Sequence, residues 1–69
     1  MPLPKERLDK IKADLDEAKA QMSSIEDIIA DLRASGINAN EQEAKLREVR
    51  DYYRKTESFY NLQMQRLED

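Results

Sequence analysis

Apolar residues recur at Leu8, Ile11, Leu15, Ala18, Met22, Ile25, Ile29 and Leu32, in alternating steps of three and four. That spacing holds them on one side of an α-helix, and a narrow stripe of this kind is best buried against another helix. A weaker stripe follows at Leu46, Val49, Tyr53, Thr56, Tyr60, Gln63 and Leu67. Between the two lies the chain's one glycine, Gly36, while both prolines, Pro2 and Pro4, stand at the N-terminus. Helix breakers at the start and the midpoint predict two helices and one reversal. The expected fold is all-α: an antiparallel two-helix hairpin of the coiled-coil type, forming one domain over residues 1–69.

The boundaries follow from local chemistry. Helix 1 is expected over about 4–34, with Pro4 in the first helical position, where its missing N–H has no partner to lose. Glu6 then sits at the positive end of the helix dipole. The run Arg33-Ala34-Ser35-Gly36-Ile37 reads as a stop, with Gly36 left-handed and Ile37 folding back onto the last turn. A turn over 35–40 leads to Asn40 as N-cap, with Glu43 completing a capping box, although Asn38 with Glu41 offers the same pattern two residues earlier. Helix 2, about 41–68, contains no breaker. The two arms would be about 46 and 42 Å long, near enough to pair along their length.

Matching stripe to stripe sets Ile29 against Val49, Ile25 against Tyr53, Ala18 against Tyr60 and Ile11 against Leu67. One flank of that pairing brings together Arg33 with Glu43, Glu26 with Arg50 and Lys19 with Glu57, all opposite in charge. On the other flank Asp14 meets Arg66, but Gln21–Phe59 and Ile28–Tyr52 are uncharged. With Leu62 alongside, Ile28, Tyr52, Phe59 and Leu62 make an apolar patch that the seam does not cover.

A chain of 69 residues seldom draws more than about 3–5 kcal/mol from a single core, so help from a partner is expected. The favoured reading is a non-enzymatic protein–protein interaction module: a homodimer, two hairpins stacked through the patch into a four-helix bundle, serving as a structural, assembly or regulatory subunit. An inhibitor or adaptor hairpin docking a different protein through the same four residues is the alternative. A third reading is a hairpin dimer binding RNA or DNA through Lys45, Arg47, Arg50, Arg54 and Lys55, with Tyr52 and Tyr53 available to stack. Glu48, Asp51 and Glu57 interrupt that basic stripe, and Asp51 lies four residues from Lys55, the spacing of a solvated ion pair.

Composition narrows the chemistry further. The chain has neither Cys nor His, so disulfides, thiolate metal sites and the usual general base are excluded. Ser23, Ser24, Ser35 and Ser58 have no base to activate them, and no catalytic or cofactor-binding residue is expected. The carboxylates Asp9, Asp14, Asp16, Glu17, Glu26, Asp27 and Asp31 fall mostly on outward positions, so no metal site is expected either. Charged residues make up 39% of the chain with a net charge of -3, a surface of mixed sign. No apolar run approaches the roughly 20 residues that span a bilayer, and Met1-Pro2-Leu3-Pro4-Lys5 lacks the apolar core of a signal peptide. A cytoplasmic protein without membrane contact is expected.

Overall fold

A computed structural model describes residues 3–68; Met1, Pro2 and Asp69 of the single-domain reading lie outside the described residues. Two helices, α1 (Lys5–Ala34) and α2 (Asn40–Glu68), lie side by side as a hairpin with Cα extents of 52 × 15 × 13 Å.

The reversal is built at Gly36, whose φ of 74° lies in the left-handed region that a Cβ disfavours. Ile37 N–H donates to the Leu32 carbonyl at 2.8 Å, and Gly36 N–H donates to the Arg33 carbonyl at 3.1 Å. These are the two bonds of a Schellman motif, and they occupy carbonyls that the end of a helix otherwise leaves unpaired.

Both helix starts differ from the sequence expectation by about one residue. Pro4 precedes α1 with φ -59° and ψ 149°, so it is the N-cap and not the first helical residue. Its carbonyl nonetheless accepts from Arg7 and Leu8 at 3.0 and 3.1 Å, because the fixed proline φ suits an extended cap as well as a helix. Asn40 is the first residue of α2 and not its cap. The side chain that serves the helix start is Asn38, whose Oδ1 accepts the Asn40 N–H at 2.7 Å.

Leu8, Leu15, Ala18 and Ile29 of α1 are buried together with Ala39 and Val49. Ile11, Met22, Ile25 and Leu32 are half-buried, as are Leu46, Tyr53, Thr56, Tyr60 and Gln63. The two stripes therefore face each other, but in a register one heptad from the expected one. Leu3 N–H donates to Gln63 Oε1 at 2.9 Å, and Leu8 is the most enclosed residue. Tyr53 lies in the fields of Lys12 and Asp16. Ala39 is buried beside the turn, whereas Leu67 is exposed at the far end. One set of levels satisfies all of these: Leu32 with Ala39, Ile25 with Leu46, Ala18 with Tyr53 and Leu8 with Gln63. It replaces Ile29–Val49, Ile25–Tyr53, Ala18–Tyr60 and Ile11–Leu67. The cause is the turn: the Schellman bonds reverse the chain so tightly that Ala39 is drawn straight into the seam.

Candidate interaction surface

Tyr52, Phe59 and Leu62 fall seven and three residues apart on α2, a spacing that puts all three on one flank of the helix. They are 51%, 45% and 51% exposed. Ring and branched-chain carbon is thus held in solvent by a helix whose other side is already committed to the seam.

Ile28, the fourth residue of the expected patch, is also exposed but stands apart from the others. It lies six residues before the end of α1, about 9 Å from the turn, whereas Phe59 lies nineteen residues beyond the start of α2, about 28 Å from it. Tyr52 and Ile28 are nearer in level, about 13 Å apart along the axis in this register. The heptad change in register separates them, so the surface is a stripe along α2 with Ile28 as an outlier near the turn. Ile37, exposed in the turn itself, and Leu67, exposed at the free end of α2, are apolar surface that the stripe analysis does not anticipate. Ile37 is a turn residue without helical periodicity, and Leu67 belongs to the stripe but extends past its cover.

Polar neighbours share the aromatic flank. Glu48, Lys55 and Arg66 fall at three-, four- and seven-residue spacings from Tyr52, Phe59 and Leu62 and so border the same stripe. Lys45 continues it toward the turn, where it lines a shallow groove of about 690 Å³ with Gln21, Ser24, Ile25 and Gln42. Lys55 Nζ pairs with Asp51 at 3.0 Å, and Lys45 reaches Glu48 at 4.0 Å. The opposite flank carries the Arg33–Glu43 ion pair across the helices. Glu26 and Arg50 line one depression there without an ion pair between them, and Glu57 accepts the Tyr53 hydroxyl at 3.0 Å. That hydrogen bond, together with desolvation and the Glu57 charge, raises the Tyr53 pKa above its ordinary value.

Shape adds a quantity to the picture. A compact globular chain of 8.1 kDa exposes about 4,500 Å², whereas this one exposes 5485 Å². The excess of about 1,000 Å² is close to what one partner contributes to a standard protein interface, about 800 Å².

Among the described residues no three His, Cys, Asp or Glu side chains gather as a metal site would require, and no helix is long and apolar enough to cross a membrane. No family model matches the chain, and comparison with curated proteins and with solved structures finds no match either.

Proposed function

We propose that the protein acts by contact and not by catalysis: an interaction module whose partner is a second copy, joined through the Tyr52–Phe59–Leu62 flank of α2 into a four-helix bundle. The exposed aromatic stripe carries this reading. Aromatic side chains are enriched at protein interfaces because they bury much area with little loss of conformational freedom. Here they line a helix flank that, among the described residues, gathers three large exposed apolar side chains. Among the described residues six buried side chains make a small core for an elongated hairpin, and association through the surplus surface would supply burial that one copy lacks.

Phe59→Lys tests the reading. Placing a charge at the centre of an apolar contact costs several kcal/mol, because it must be desolvated without a partner. The native chain should sediment at equilibrium as a dimer at micromolar concentration, and the variant as a monomer that keeps its helical circular dichroism. Asn61→Lys, exposed on a different side of α2, should leave the dimer intact. A monomeric native chain, or a dimer that survives Phe59→Lys, would overturn the proposal.

A further inference from the structure

The polar residues bordering the stripe fix how two copies can meet. We infer that α2 packs on α2 of the second copy in the antiparallel sense, about a two-fold axis level with Glu57, which lies midway between Tyr52 and Leu62. This inference rests on the dimer reading above and adds orientation and register to it.

The argument is one of pairing along a single helix flank. Ordered from the turn outward, the flank reads Lys45, Glu48, Tyr52, Lys55, Phe59, Leu62 and Arg66. Running two such flanks in opposite directions about that axis sets Tyr52 against Leu62 of the second copy. Lys55 is brought over the face of Phe59 of the second copy, a cation–π geometry in which its alkyl stem also covers the ring. Glu48 falls level with Arg66 of the second copy, opposite in charge, and the symmetry repeats every pair. Tyr52, Phe59, Leu62 and the Lys55 stems fill the middle, and the complementary charges of Glu48 and Arg66 close both ends.

Other arrangements are worse on the same residues. Running the flanks in the same direction sets Glu48 on Glu48, Lys55 on Lys55 and Arg66 on Arg66, so every charged level is repulsive. Laying α2 on α1 of the second copy sets the aromatic stripe against the matching flank of α1, which carries Arg7, Asp14, Gln21 and, near the turn, Ile28. Three of these four side chains are charged or polar, and burying them against Tyr52 and Phe59 would leave them unpaired.

The test uses single-cysteine variants, since the native chain has no Cys. Tyr52→Cys and Leu62→Cys chains, mixed and oxidised, should form a disulfide between one variant and the other, while neither links to itself. Self-linking of each variant would establish the parallel arrangement and overturn the inference, as would the absence of any link in chains that sediment as dimers. Monomeric sedimentation would instead remove the dimer reading itself, so the two failures are distinguishable. Charge changes give an independent readout. Arg66→Gln and Glu48→Gln should each weaken dimerisation by about two- to five-fold at low salt. Relief of like-charge repulsion in a parallel dimer would strengthen it, and that result would overturn the antiparallel register.

Discussion

Single residues decide the two ends of the turn and the titration of Tyr53. Gly36 was legible in the sequence because only glycine adopts a φ of 74° at little cost, and a lone glycine between two apolar stripes has few other roles. The cap was less legible. Asn38 and Asn40 are both followed by Glu at the third position, and the choice between them depends on where the reversal ends. With Asn38 Oδ1 holding the Asn40 N–H, Asn38→Ala should destabilise the hairpin by about 0.5–2 kcal/mol in urea unfolding. Asn40→Ala should be nearly neutral, and the reverse ranking would contradict the cap assignment. Tyr53 gives a pH dependence whose sign is fixed. Its pKa is raised in the folded chain, so the folded state keeps the phenolic proton at pH values where the unfolded chain has lost it. The stabilisation is complete below about pH 10 and falls as pH rises through the folded value. Unfolding free energies of the native chain and of Tyr53→Phe should therefore converge as pH rises above about 10. A gap independent of pH would remove the Tyr53–Glu57 bond from the account.

At the scale of the elements, periodicity identified which sides of α1 and α2 meet but not which levels. A heptad pattern slid by one repeat presents the same positions to the partner, so stripe matching is satisfied in either register. Arg33 and Glu43 are ion-paired in the structure although the core levels differ from those the stripe suggested. In a staggered pair of helices, flanking side chains reach residues well off their own level, so opposite charges at the flanks do not settle the core. What settles it is Ala39, a single small residue ahead of the second stripe whose burial no periodicity announces. Leu8 and Leu67 discriminate the registers experimentally. Leu8 is 1% exposed and Leu67 44%, so Leu8→Ala should cost about 2–5 kcal/mol and Leu67→Ala less than about 1 kcal/mol. Equal losses in thermal or urea unfolding would return Leu67 to the seam.

For the whole molecule, stability and association are expected to be one property. Elongation is built into a hairpin of two long helices: adding residues lengthens the seam without thickening it, so the ratio of surface to core does not improve as it would in a globule. That is why the surface excess was implicit in the equal arms of the sequence, while the position of the aromatic stripe relative to Ile28 was not, since it depended on the register. If a second copy covers the stripe, unfolding also separates the copies, and mass action makes the melting temperature depend on concentration. With an unfolding enthalpy of about 0.7 kcal/mol per residue, two copies melting together should gain about 5 °C for each tenfold increase in concentration. Phe59→Lys should abolish that dependence and lower the melting temperature to a value that no longer changes on dilution. A native melting curve that is already independent of concentration would mean that the hairpin's own seam, with Leu8, Leu15, Ala18 and Ile29 against α2, is sufficient, and that the aromatic flank contributes nothing to keeping the chain folded.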